Sequence, residues 1–277
     1  MRKLGNIVVL AAVLGLGVLW VGSFVAADEE GYKEAPVSNG GSVSGKIMFK
    51  GTPPPPKEFD LAKFPQPKYC GQVDNDGKGH RLFHDVNVSN GMLADVVVYI
   101  EDIHTGKPFK FNGTDVKANL CRFLVQGGPS ELVGVVENKS DIRVLNTDAD
   151  PSDPKSATGV LHNPHGYEVK GHASSTIFNK PLPNKGQTLD EKLHFHKHES
   201  SMLMQCDQHN YMNAYFLPVN NPYYAIVGKD GTFTIDGVPP GTYDLKAWHP
   251  ILGEEEQKIT VAANGKVTSN FEFTHHP

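Results

Sequence analysis

Cysteine is scarce in this chain, with three residues in 277, at positions 70, 121 and 206. None lies in a C-x-x-C-H, so covalent haem is not indicated. An excess of charge of one sign is also missing. The formal net charge of −5 gives no argument for nucleic acid or an anionic membrane surface as a partner. There is no internal repeat and no coiled-coil heptad, which leaves out solenoids and helical rods. The 28 glycines and 20 prolines favour turns over long helices. What is present is 39% apolar residues, enough for a core, in a length that suits one or two domains.

The first 27 residues read as an export signal. Met1-Arg2-Lys3 is a positively charged start, an apolar run follows from Ile7 to Val25, and Val25-Ala26-Ala27 precedes Asp28. That order fits a signal peptide over 1–27 with a small-residue cleavage site, and predicts a periplasmic protein. The run is almost long enough to span a bilayer, so an uncleaved anchor is the alternative, and membrane association is expected only in that case. No cysteine lies near the cleavage site, which argues against a lipoprotein. Residues 28–40 are polar and carry Gly and Ser, as a linker does.

The chemistry concentrates in Cys206-Asp207-Gln208-His209-Asn210-Tyr211-Met212. A thiolate, an imidazole and a thioether within seven residues form a soft donor set that selects copper over magnesium or calcium. Ser200–Gln205 reads as the strand entering this loop, with Met202, Met204 and Cys206 on one face, and Ala214–Val219 as the strand leaving it. A fourth ligand must come from elsewhere. The candidate is His162, after the strand-like Ile142–Thr147. His165 is the competing choice, three residues on.

A His-Asn pair followed about forty residues later by C-x2-H-x2-M resembles the blue-copper cupredoxins, the amicyanins most closely. The resemblance extends to Asn146 and Asp148 before the first His and to Phe178-Asn179 after it. It implies a type-1 copper ion held by His162, Cys206 and His209, with Met212 as the weak axial ligand and Asn163 tying the two ligand loops together. It selects His162 over His165, because Asn163 follows it. Asn210-Tyr211 stands where the family has Pro and an aromatic, a departure that bears on the surface around His209. The loop tip is expected to expose His209 as the exit for the electron. The polar Asn210 is expected to let that ring swing out in mild acid, making the potential pH-dependent. With Cys206 on copper, Cys70 and Cys121 are left as a pair in an oxidising compartment, where a disulfide is the default. Two separately buried thiols are the alternative.

The rest of the chain reads as short strands. Ser42–Lys50 and Leu93–Glu101 are the strand signals of the first half, separated by the prolines 53–56 and an irregular stretch over 57–91. Asn119–Val125, Glu131–Val136 and Leu189–His196 complete a Greek-key count for residues 109–220. His194, His196 and His198 stand two residues apart, on one face if the last strand runs on regularly; a solvated face is the preferred reading over a second metal site.

From Tyr224 to His249 the pattern is strand, Asp230-Gly231 turn, strand, Pro-Pro-Gly turn and strand. This block resembles the carboxypeptidase regulatory-like, or transthyretin-like, β-sandwich. The expected architecture is all-β: a cupredoxin sandwich over 109–220, inserted in a regulatory-like sandwich made of 41–108 and 221–277. Two domains in tandem is the runner-up.

The function implied by the cupredoxin resemblance is that of an electron carrier and not an enzyme, since no acid/base pair accompanies the single copper pattern. A c-type cytochrome or a periplasmic dehydrogenase is the partner class the resemblance suggests. Two further readings differ in kind. Trp248, Tyr243 and Tyr224 could stack on a sugar in a carbohydrate-binding module, and Met202, Met204 and the 194–198 histidines could serve copper delivery.

Overall fold

The structure is a computed structural model that describes residues 31–275, apart from 74 and 198. The segment expected to be a signal peptide and His198 therefore lie outside the described residues. The described residues make one compact unit, and its elements are almost all strands.

The middle of the sequence forms two facing sheets. One has the order Phe123–Val125, Thr114–Ala118, Asp141–Asn146, Thr188–Lys192. The other has the order Val133–Val136, Asn213–Pro218, Ser201–Cys206, Pro164–Lys170, Ala173–Asn179. Alternation along Asp141–Asn146 and Ser201–Cys206 turns Ile142, Val144, Met202, Met204 and Cys206 inward. They meet Phe216, Leu182 and Phe178 in one buried core. Both methionines suggested for copper delivery are therefore packing residues. Gly166 is glycine for a steric reason: a Cβ there would lie 2.5 Å from the Phe178 ring.

The two ends of the described chain come together in a second pair of sheets. Val96–Ile100 pairs with Tyr224–Val227 on one side and with Gly241–His249 on the other. Gly41–Lys50 pairs with Thr232–Val238, Lys266–Thr268 and Phe271–Thr274. Strands from before residue 105 and after residue 220 thus share both sheets, and Val43, Ile47, Leu245, Phe271 and Phe273 form their core. A third cluster, with Val97, Val133, Val135, Leu217 and Val219, joins the two pairs of sheets. Trp248 and Tyr224 pack against this junction and Tyr243 against the second core, each of them half-buried.

Three local expectations differ from the structure. Residues 57–91 are not irregular throughout: Lys57–Asp60 and His80–Phe83 form a hairpin that carries a short helix, Pro67–Cys70, between its strands. The strand expected over Asn119–Val125 starts only at Phe123, because Leu120 and Cys121 adopt positive φ in a tight turn. The strand expected to reach His196 stops at Lys192. His194 and His196 are exposed beyond it, and neither belongs to a metal-capable group among the described residues.

One histidine sets an acid limit on the second pair of sheets. His249 is fully buried, Nδ1 accepts the N–H groups of Ile251 and Leu252 at 3.2 Å each, and Nε2 has no partner. Burial pushes its pKa down to about 3. The unfolded chain takes up a proton below about pH 6.5 while the folded chain does not. The stabilisation is therefore complete above that pH and is lost as pH falls towards 3, at up to about 1.4 kcal/mol per pH unit. Urea unfolding across this range should show that slope, and His249→Asn, which can accept the same two N–H groups but cannot protonate, should flatten it.

Candidate metal centre

Three side chains from two loops converge in the first core. Cys206 ends the strand Ser201–Cys206, and the chain then folds back tightly: His209 N–H donates to Cys206 O, Met212 N–H to His209 O, and Cys206 N–H to Met212 O. This closure brings His209 beside the Cys206 sulfur, with its Nδ1 3.8 Å from Sγ. His162 enters from the other side, with its Nδ1 4.0 Å from the same Sγ. All three are fully buried, and Met212 is buried in the same core.

The orientation of each ring is fixed from behind. Nε2 of His162 donates to Asp148 Oδ2 at 2.8 Å, so Nδ1 is the nitrogen turned towards sulfur. Asp148 is itself held hard. Its Oδ1 accepts Leu120 N–H and the Tyr69 hydroxyl, and its Oδ2 also accepts Cys121 N–H. Nε2 of His209 lies 3.1 Å from Pro65 O and donates to it. Asn163 N–H donates to Cys206 Sγ at 3.3 Å, and Asn163 Nδ2 donates to Asp207 Oδ2 at 3.0 Å. Asn163 thus links the two loops. His165 is not turned to the sulfur. Its ring nitrogens face Asp207 and Thr176, and the ring stacks on Tyr167 at 3.9 Å.

The charges follow from this arrangement. Burial by itself would raise the Cys206 thiol, but the hydrogen bonds from His162 and His209 and the Asn163 N–H outweigh it and bring the pKa down to about 6. Burial likewise opposes charge on Asp148 and His162, yet their mutual hydrogen bond, with the backbone donors on the carboxylate, holds Asp148 low and His162 high. A thiolate is therefore available near neutral pH. Because Cys206 is fully buried, it should react with iodoacetamide only when the metal-free chain unfolds. Labelling of the native protein at the unfolded rate would contradict that burial.

The donor set fits a soft metal ion. With metal–sulfur and metal–nitrogen bonds of about 2.3 and 2.05 Å in a trigonal plane, sulfur and nitrogen stand about 3.8 Å apart. The two sulfur–nitrogen separations here are 3.8 and 4.0 Å.

The surroundings correct one expectation. His209 is not exposed at a loop tip. The hairpin segment 57–83 lies over it as a strap, with Phe64 and Phe59 packed on Tyr211 at 5.0 and 5.8 Å. Buried Arg81 donates to Cys70 O and Leu120 O and stacks over the Tyr211 ring. Cys70 and Cys121 are joined by a disulfide, as the cysteine count suggests. In the chain-entropy picture a bridge closing a loop of this length stabilises the fold by about 4 kcal/mol. With Pro65 O on its Nε2 and the disulfide beside it, the His209 ring has no room to swing out. The acid-driven release expected from Asn210 does not fit this packing.

Sequence reasoning passed over Pro65, Tyr69 and Arg81, whose segment has no periodicity to mark it. In the sequence Asp148 stands out only through the resemblance. Its four donors come from positions 69, 120, 121 and 162, and no local pattern joins them.

Residues 207–269 match the family model described as polysaccharide lyase family 4, domain II, an fn3-type domain. That match replaces the carboxypeptidase regulatory-like assignment. Both descriptions concern β-sandwiches, and strand alternation with turn signals does not tell them apart. The matched span begins inside the Cys206–Met212 loop and includes the strand Asn213–Pro218, which pairs in the first pair of sheets. Among curated proteins, none matches the sequence. Among solved structures, the chain is similar to a copper-containing nitrite reductase from Thermus scotoductus SA-01, at 14% identity and a TM-score of 0.27. That likeness covers 40% of this chain and 23% of the reductase, so the chain spans about a quarter of the reductase's length. It is also similar to amicyanin, in the Cu(I) form of one variant and the oxidised form of another. Each is at 14% identity and a TM-score of 0.26, covering 40% of this chain and 85% of amicyanin.

Proposed function

We propose that His162, Cys206 and His209, with Met212 as a weak fourth ligand, hold one type-1 copper ion, and that the protein carries single electrons in the periplasm. The observation behind this reading is the convergence of two imidazole Nδ1 atoms on one buried thiolate, within 4.0 Å. A copper ion there supplies one-electron exchange between Cu(I) and Cu(II). The chain's own part is rigidity and exclusion of water: Asp148 and Pro65 O fix the imidazoles, Asn163 N–H holds the sulfur, and the strap closes the top. Groups that cannot move keep reorganisation small. The His209 edge reaches the surface through one hydrogen bond, to Pro65, whose own residue is exposed.

The same proposal takes the copper sandwich as inserted in the second sandwich, and the protein as a carrier and not an enzyme. Its partner is a c-type cytochrome or a periplasmic dehydrogenase. Voltammetry of the copper-loaded protein tests the function: a reversible one-electron wave supports it, and irreversible loss of copper on reduction contradicts it.

A further inference from the structure

The disulfide and the candidate centre share a residue. Cys70 Sγ lies 3.7 Å from Nε2 of His209, while Nδ1 of the same ring lies 3.8 Å from Cys206 Sγ. One imidazole thus stands between two sulfur groups and turns a nitrogen to each. Cys70, Cys121 and His209 bring two sulfurs and Nε2 within 4.8 Å of one another, all three residues buried. As a disulfide, the two sulfurs are poor ligands. As thiolates beside an imidazole, they are the soft donor set that suits Cu(I).

The setting gives such a site a use. The buried centre has the strap above it, and among the described residues the strap's two strands pair with each other and with no strand of either sandwich. The strap is fastened by the disulfide, His209 Nε2 on Pro65 O, Arg81 on Leu120 O, the Tyr69 hydroxyl on Asp148, and the aromatic contacts with Tyr211. The disulfide is the one covalent link among these. Cys121 sits on the turn whose N–H groups bind Asp148, and Asp148 orients His162. The clasp and the centre are therefore mechanically joined through one carboxylate.

We propose that the dithiol form of Cys70 and Cys121, together with Nε2 of His209, is a second Cu(I) site and the port by which copper reaches Cys206. Opening the clasp reduces the disulfide to two thiols with two electrons and two protons from a dithiol reductant. Binding Cu(I) then displaces thiol protons and moves no electron, and the His209 ring proton shifts from Nε2, which leaves Pro65 O, to Nδ1. The ion then passes from Nε2 to Nδ1 of His209 as the ring proton returns to Nε2 and to Pro65 O, so each site uses one nitrogen of this imidazole in turn. Closing is thiol–disulfide exchange: both thiols give their protons and two electrons to a partner disulfide, which leaves as a dithiol, and the strap seals the centre. The use as a port rests on the copper reading above; the dithiol site itself does not.

The test is Cu(I) titration of the full chain against a colorimetric Cu(I) chelator, in disulfide and dithiol forms, with near-UV circular dichroism recorded on each. In Cys206→Ala, which lacks the first site, the dithiol form should bind one equivalent of Cu(I) and the disulfide form none. Adding Cys70→Ser and Cys121→Ser should remove that binding, and adding His209→Ala to Cys206→Ala should weaken it. A folded dithiol form of Cys206→Ala that takes no Cu(I) overturns the proposal, and so does loss of the near-UV signal on reduction. The wild-type disulfide form is read separately: if it binds no Cu(I), the copper reading of Cys206 fails, whatever the dithiol arm shows.

Discussion

Addition of Cu(II) to the wild-type protein is expected to give an intense thiolate-to-copper absorption in the orange-red, and Cys206→Ala is expected to abolish it. The effect should be complete, because Cys206 is the one free cysteine of the chain and the band needs a sulfur orbital on the metal. His162→Ala should also remove the colour, since it takes away one of the two nitrogens near Sγ. His165→Ala should leave it intact. That ring is occupied by Asp207 and Thr176 at the surface and contributes nothing to the buried set. A colour that survives Cys206→Ala, or one that disappears in His165→Ala, would place the metal elsewhere.

Asp148→Asn is expected to weaken metal binding by roughly 10- to 100-fold, the usual effect of losing the partner that orients a ligating histidine. The geometry makes the change unforgiving. Each carboxylate oxygen of Asp148 accepts two hydrogen bonds: Leu120 N–H and the Tyr69 hydroxyl on Oδ1, and Cys121 N–H and His162 Nε2 on Oδ2. Whichever way the asparagine amide is turned, its NH2 meets two donors. If it faces His162, the imidazole loses its anchor. If it faces Leu120 and Tyr69, the turn carrying Cys121 loosens, at about 1–3 kcal/mol for a buried group left unpaired. Copper titration against a competing chelator, with a thermal melt of the same samples, separates the two. Unchanged affinity would show that Asp148 serves the turn alone.

The parts of this architecture that could be read from the sequence are those whose cause is local. The C-x2-H-x2-M loop puts its donors within seven residues, so spacing alone groups them. The alternating strands Ser201–Cys206 and Gly41–Lys50 each have a buried face that shows as period-2 hydrophobicity. Strands without such a face were passed over. Ala173–Asn179 is exposed along its first four residues, and Gly253–Val261 opens with three exposed glutamates. Both are edge strands that owe their conformation to a single neighbour. The strap was missed for a different reason. Residues 57–83 earn their place through Arg81, Tyr69, Cys70 and two phenylalanines that reach partners far along the chain. The turn at 119–122 looks like strand in the sequence because its positive φ values are supported by Asp148, more than twenty-five residues away. Burial of His209 follows from that same distant strap.

The most direct test of the centre is X-ray absorption at the copper edge of the full chain loaded with one equivalent of copper. The account predicts a shell containing one short copper–sulfur distance and two imidazole nitrogens, with the sulfur absent in Cys206→Ala. A shell of nitrogen and oxygen alone in the wild-type protein would contradict it.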